Sequence, residues 1–139
     1  MISFIIPAYN EAKNIEATIT SIQMACPMVH EIIVVDNGST DDTRGVAERA
    51  GAKVYYEKEK GVTRARQAGF LASKYDLVAF IDADCIVPVG WLPWVLLALK
   101  DPRVVAVSGP VIYLDMGLFG RTLTALYITI SSYHNTMRY

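Results

Sequence analysis

The chain has 139 residues, 53% of them hydrophobic and 19% charged, with a formal net charge of −1. That composition supplies one domain with enough apolar side chains for a real core and excludes a disordered chain. The near-neutral balance also excludes a broad basic surface, so no nucleic-acid partner is expected.

The first apolar run, Ile2–Pro7, is short, continuous and partly β-branched, which reads as a strand buried on both faces. Ile15, Ile19 and Ile22 then fall on one helical face, and Asn10 is expected to cap that helix, opening with Glu11. Ile32–Asp36 reads as a second strand. Thr40 is expected to cap the next helix, with Asp41 and Asp42 in its first turn, where the dipole favours acids, and with Val46, Ala47 and Ala50 inward. Lys53–Tyr56 reads as a third strand, Val62, Ala65, Gly69 and Ala72 as a third helical face, and Leu77–Ile81 as a fourth strand, each strand buried like the first. Beyond these, Trp91–Leu99 reads as a helix stopped near Asp101-Pro102, and Val104–Val107 as a fifth strand. A last helix from Leu118 carries Phe119, Leu123, Leu126, Tyr127 and Ile130 at helical spacing. This alternation predicts an α/β fold over residues 1–139: one domain, with a mainly parallel sheet and helices on both faces.

Cys26 and Cys85 lie far apart with no metal-ligand spacing, which predicts reduced thiols serving as small core residues in a cytoplasmic protein. Met1-Ile2-Ser3-Phe4 lacks the basic start of a signal peptide. The longest apolar segment, Ile86–Leu99, is too short to cross a bilayer and contains Pro88 and Pro93, so no transmembrane segment is expected.

In a parallel sheet, ligands bind beyond the carboxyl ends of the strands, where the strand order reverses. The unusual polar residues of this chain fall at those ends. The first strand exits into Pro7-Ala8-Tyr9-Asn10-Glu11, the second into Asp36-Asn37-Gly38-Ser39-Thr40, and the fourth into Asp82-Ala83-Asp84. Tyr9 offers a flat face for a base, and Asp36 an acceptor for a ring N–H. Asp82 and Asp84 are two like charges so close that they raise each other's pKa unless a cation or strong donors sit between them, and the usual cation for hard carboxylate oxygens is Mg²⁺ or Mn²⁺ shared with substrate phosphates. Together these describe a site for a nucleoside diphosphate. Neither G-x-x-x-x-G-K-[ST] nor G-x-G-x-x-G occurs, which argues against a P-loop enzyme and a standard dinucleotide fold.

The same residues resemble family 2 glycosyltransferases. Phe4–Glu11 and Ile33–Thr43 are similar to the family's opening segments, Gly61–Gly69 to its Gly-…-Ala-Arg-Asn-x-Gly segment, and Phe80–Asp84 to its DxD motif. Pro88, Trp91-Leu92 and Val107-Ser108-Gly109 continue the pattern. The resemblance implies a GT-A fold, a Rossmann-like sandwich. It also implies a metal-dependent inverting transfer of a sugar from a UDP- or GDP-sugar donor to an unidentified acceptor. Position by position, Pro7, Tyr9 and Glu11 would line the nucleoside pocket and Asp36 would bond the base, with Ser39 beside it. Arg66 would lie near the acids and the diphosphate, a candidate stabiliser of the leaving group. Asp82 would face the ribose or the metal, and Asp84 would ligate the metal. Gln67 departs from the family's usual Asn.

Each of these residues also has a plainer reading. Tyr9 could be a half-buried strand-end aromatic, Asp36 with Asn37-Gly38 simple turn chemistry, and Arg66 a surface ion-pair partner. Trp91 and Trp94 read as core rather than sugar platforms, and His30 and His134 as solvated or hydrogen-bonded side chains. The functional reading explains the acids, Tyr9 and Arg66 jointly. The family's catalytic base lies downstream of the matching motifs, and Asp115, the only acid beyond Asp101, does not match it. The expectation is therefore a truncated chain with the donor half and without the acceptor half. The alternative is a nucleotide-sugar-binding module without turnover. The apolar face of the last helix would then be uncovered, favouring a homo-oligomer or contact with a membrane surface.

Overall fold

The structure, a computed structural model, describes residues 1–27 and 30–109. The chain divides into two compact units, Met1–Leu97 and Ala98–Tyr139.

In the first unit, four strands form one parallel sheet in the order β3-β2-β1-β4. They are β1 (Ile2–Ala8), β2 (His30–Asp36), β3 (Lys53–Tyr56) and β4 (Leu77–Phe80). β1, β2 and β3 contain their predicted runs, and β4 ends one residue short of its own. β1 and β2 are buried as expected, whereas β3 and β4, at the two edges of the sheet, are only partly covered. Helices α1 (Ile15–Ala25), α2 (Thr43–Arg49), α3 (Val62–Ala72) and α4 (Trp91–Ala98) alternate with the strands or follow them.

Alternation along the central strands explains why both faces are covered. Phe4, Ile6 and Ala8 of β1 and Ile32 and Val34 of β2 pack with Ile15, Ile19 and Ile22 of α1 and Ala47 of α2. On the other face Ile33 and Val35 pack with Ala65, Ala68 and Ala72 of α3. This second layer is thin because α3 approaches so closely. A Cβ on Gly69 would stand 2.4 Å from Ile5 Cγ2 and 3.1 Å from Val35 Cγ2, so only glycine allows the helix to sit there. Trp91 belongs to the core, with its ring 6.0 Å from that of Phe4. Trp94 does not: it is 74% exposed, because the apolar residues of α4 run all round the helix and only one side meets the core. Cys26 is buried, which pushes its thiol up from the ordinary range.

Two expected caps are corrected. Asn10 does not cap α1: the chain makes a turn from Glu11 to Asn14 before the helix begins. Asn10 has a positive φ of 58°, and its carboxamide oxygen accepts hydrogen bonds from the N–H and hydroxyl of Thr40. Thr40 is thereby spent on Asn10, and Asp41 serves α2 instead, accepting from the Thr43 N–H at 3.1 Å and from the Thr43 hydroxyl. That hydroxyl, helped by the N–H groups of Ala12 and Thr43, holds Asp41 below the usual carboxylate range.

In the second unit, the expected strand Val104–Val107 is not one. It has no ladder partner among the described residues, and Val105 is 92% exposed. Apolar β-branched composition favours a strand only where another strand supplies hydrogen bonds. Asp115, His134 and the apolar face from Phe119 to Ile130 lie outside the described residues. Among the described residues no helix is long and apolar enough to cross a membrane.

Candidate donor-nucleotide site

The strand order places the reversal at β1. From it the chain proceeds to β2 and β3 on one side, and β4 returns to the other. The exits of β1 and β2 lie level, since Ala8 pairs with Asp36 and the Asn37 N–H donates to the Ala8 carbonyl at 2.9 Å. β4 leaves its ladder at Phe80, opposite Ile5, and the Ile81 N–H makes one further bond to the Ile5 carbonyl. The acid turn therefore starts beside β1.

The recess at the β1 exit has a volume of about 100 Å³ and is lined by Pro7, Ala8, Tyr9, Asn37, Val62 and Ala65. Complete small-molecule sites usually enclose about 300–1,000 Å³, so this is room for one flat group rather than for a whole donor. Tyr9 is 48% exposed, and the Lys60 ammonium stands 4.2 Å from its ring centroid.

Asn37 organises this end of the sheet. It is buried, and its amide donates to the carbonyls of Glu57 and Glu59 at 3.0 and 2.8 Å while its oxygen accepts from the Gly61 N–H at 2.7 Å. These bonds fix the loop that carries Lys60 and the start of α3. The sequence reading took Asn37 only as half of an Asn-Gly turn. Gly38 does adopt the positive φ of 78° that such a turn needs, but the side chain of Asn37 does more than turn the chain. Asp36 is buried, and its carboxylate accepts from the Ser39 N–H at 3.0 Å, while the Ser39 hydroxyl accepts from the Asn10 N–H at 3.0 Å. Glu11 does not line the recess. Its N–H donates to the Thr43 hydroxyl, and its carboxylate accepts from the Asn14 amide at 2.8 Å.

On the β4 side, Arg66 of α3 reaches Asp82, with Nη2 2.7 Å from Oδ1. The pair is half-exposed, with the side chains 41% and 59% accessible, so screening leaves it little net worth to stability. Arg66 Nε is buried and has no hydrogen-bond partner among the described residues. Leaving a buried donor unpaired is costly, and a guanidinium with a spare buried N–H beside an open acid turn is suited to receive an anion. Asp84 is exposed, and among the described residues its one side-chain hydrogen bond is the weak 3.9 Å approach of the Cys85 thiol. Burial, then the charges of Asp84 and Asp82, push that thiol up, so it stays neutral beside the acids.

Between the acids, Ala83 is buried and its carbonyl accepts from the Thr18 hydroxyl of α1 at 2.7 Å. Four residues on, the Val87 N–H donates to the Ser21 hydroxyl at 2.9 Å. Sequence reasoning missed both hydroxyls. The available signal was two small polar residues, Thr18 and Ser21, set among Ile15, Ile19 and Ile22 on a helix whose other inward residues are apolar.

The donors present fit a divalent cation of the Mg²⁺ or Mn²⁺ kind under one condition. No group of three His, Cys, Asp or Glu side chains gathers among the described residues, and Asp82 is engaged by Arg66. One or two carboxylates with the remaining positions left to phosphate and water is the usual pattern for Mg²⁺. Asp84 is the free carboxylate for that role.

A model of the glycosyl transferase family 2 matches residues 3–138. The chain belongs to that family. An uncharacterised glycosyltransferase of Mycobacterium tuberculosis is 40% identical over 92 residues, covering 66% of this chain and 40% of the relative. A glycosyltransferase of Haloferax volcanii is 31% identical over 118 residues, covering 79% and 39%. Among solved structures, glucosyl-3-phosphoglycerate synthase of M. tuberculosis, in complex with Mn²⁺ and UDP-glucose, is 33% identical with a TM-score of 0.63. The match covers 74% of this chain and 40% of that one. This family 2 chain thus spans about two fifths of the length of these relatives, and it shares the GT-A fold of the solved enzyme.

Proposed function

We propose that this chain binds the donor for a metal-dependent, inverting glycosyl transfer, and that the donor is a UDP-sugar. The observation that carries the reading is the Arg66–Asp82 pair. It stands where the strand order reverses, has one buried guanidinium N–H unspent, and has Asp84 free two residues beyond. UDP-glucose and Mn²⁺ in the related synthase support the choice of donor and ion. Tyr9 gives its ring to the base in the recess above Pro7 and Ala8. Asp36, held by the Ser39 N–H, accepts a base N–H. Arg66 turns its free N–H groups to the diphosphate, and Asp84 holds the cation with Asp82 alongside. A bound Mg²⁺ or Mn²⁺ would offset the negative charge that builds on the diphosphate as the sugar departs.

Calorimetric titration with UDP, with and without Mn²⁺, tests the reading. The expected result is binding that tightens with Mn²⁺ and loses that gain in Asp84→Ala. No UDP binding in either condition would overturn it. Release of glucose from UDP-glucose, or its transfer, would separate turnover from binding alone.

A further inference from the structure

Resting on that donor reading, we propose that Thr18 and Ser21 of α1 are positioning residues for the acid turn, a two-point latch that sets the affinity for the metal-bound diphosphate. The acids themselves are exposed, and among the described residues Asp82 is tied only to a half-exposed arginine, a contact too weak to fix the spacing of the two carboxylates. The rigidity comes from beneath. Ala83 and Val87 are buried, and the carbonyl of the first and the N–H of the second are bonded to side chains of α1 rather than to any strand.

Thr18 is fully buried and has a single hydroxyl proton. The 2.7 Å bond to Ala83 claims it over the 3.5 Å approach to the Asn14 carbonyl within the helix. Ser21 donates its own proton to the Thr18 carbonyl at 2.7 Å, which leaves its oxygen facing the Val87 N–H. The two contacts bracket Asp84. A valine at position 18 keeps the shape of threonine and removes the donor, so the Ala83 carbonyl is left buried without a partner and the turn shifts to find one. Side chains that orient metal ligands typically set affinity by about 10- to 100-fold.

Thr18→Val, Thr18→Ser and Ser21→Ala are compared with the unaltered chain by UDP titration with and without Mn²⁺, and by amide hydrogen exchange over residues 82–87 without ligand. In Thr18→Val, the Mn²⁺-dependent gain in UDP affinity falls about tenfold, the Mn²⁺-free affinity stays within about twofold, and exchange over 82–87 quickens. Thr18→Ser, which restores the donor, recovers all three, and Ser21→Ala shows the weaker form of the same pattern. An unchanged gain with unchanged exchange overturns the latch. So does an equal loss of both affinities, since that marks general damage. If the unaltered chain binds no UDP, the donor reading fails, and exchange over 82–87 still decides whether the hydroxyls hold the turn.

Discussion

Where the strands begin, Glu31 is almost wholly buried, and its carboxylate accepts from the Ser3 hydroxyl at 3.0 Å, the Lys53 ammonium at 2.7 Å and the Lys74 N–H at 3.0 Å. Where the strands end, among the described residues, Asp82 has one side-chain partner, Asp84 has only a weak thiol contact, and Arg66 keeps a buried N–H unpaired. Both ends of the sheet carry acids with a basic neighbour, and the difference lies in what remains unsatisfied. A carboxylate with its lone pairs filled by its own chain is structural. Acids and a guanidinium left with spare bonding capacity at a strand reversal are available to something else.

Removing an acid from each end is the most direct way to break this contrast. At the upper end, Asp84→Ala removes the carboxylate proposed to hold the cation and is expected to weaken Mn²⁺-dependent UDP binding by about 100-fold, near 2.7 kcal/mol, no less than losing a group that merely orients a ligand. Its urea midpoint should not change, because the side chain is exposed. At the lower end the pattern reverses. Glu31→Ala leaves Ser3 and the Lys74 N–H without their acceptor and should lose about 2 kcal/mol of stability by urea denaturation. Lys53 loses its ion pair as well, and its half-exposed ammonium returns to water. UDP affinity should be unaffected. An Asp84→Ala protein with a lower urea midpoint, or a Glu31→Ala protein with weakened UDP binding, would erase the distinction.

Protonation sharpens the lower half of the comparison. Burial pushes the Glu31 carboxyl up, but hydrogen bonds from Lys53, the Lys74 N–H and Ser3, with the Lys53 charge, outweigh it and hold the group below its ordinary value. A carboxylate lowered by folding stabilises the fold above its unfolded value, about 4.3 for a glutamate, and that contribution disappears as the pH falls through the lowered value. Stability against pH should therefore fall on the acid side of about 4.3, and Glu31→Gln should flatten that limb. A Gln profile parallel to the unaltered one would show that Glu31 is not the group responsible.

Gly69 joins the two ends, since α3 carries Arg66 at the same close approach. Gly69→Ala forces a methyl group against Ile5 and Val35 and is expected to cost about 1–2 kcal/mol, as overpacking typically does. It should also weaken UDP binding by moving Arg66. Thermal denaturation and the same titration check both parts.

How far the sequence alone reveals this contrast depends on the range of each interaction. The cores of β1, β2 and β4 were legible because they are nearly continuous apolar runs, whereas β3 was legible only from its β-branched and aromatic residues, and its exposure at the sheet edge was not. Tyr9, Asp36, Asp82 and Asp84 stood out as candidates because they interrupt such runs at their exits. The turn function of Asn37-Gly38 is local and was also legible. Its clamp on Glu57, Glu59 and Gly61 was not, since those partners lie 20 to 24 residues away and are backbone atoms. Thr18 is bonded across 65 residues for the same reason. Asn10 misled because a residue suited to cap a helix is equally suited to a positive φ. Val104–Val107 misled because its composition is that of a strand and its pairing is not encoded locally.

The smallest expected effect concerns the two lysines, one at each end. Lys53 is held by a buried carboxylate, whereas Lys60 rests on the face of Tyr9. Lys60 does not line the recess that Tyr9 lines, so its ammonium braces the ring from outside the space left for the base. An exposed cation–π contact is worth about 0.5–1 kcal/mol, and part of that is recovered when water solvates the freed ring. Lys60→Ala and Lys60→Met should therefore each weaken UDP binding about two- to threefold, roughly 0.5 kcal/mol. The methionine variant separates charge from packing. It keeps an apolar stem over the ring and removes only the ammonium, so full affinity in Lys60→Met would assign the support of Tyr9 to packing. Tighter binding in both variants would mean that Lys60 competes with the base for the ring and that the base stacks on the face Lys60 covers rather than in the recess.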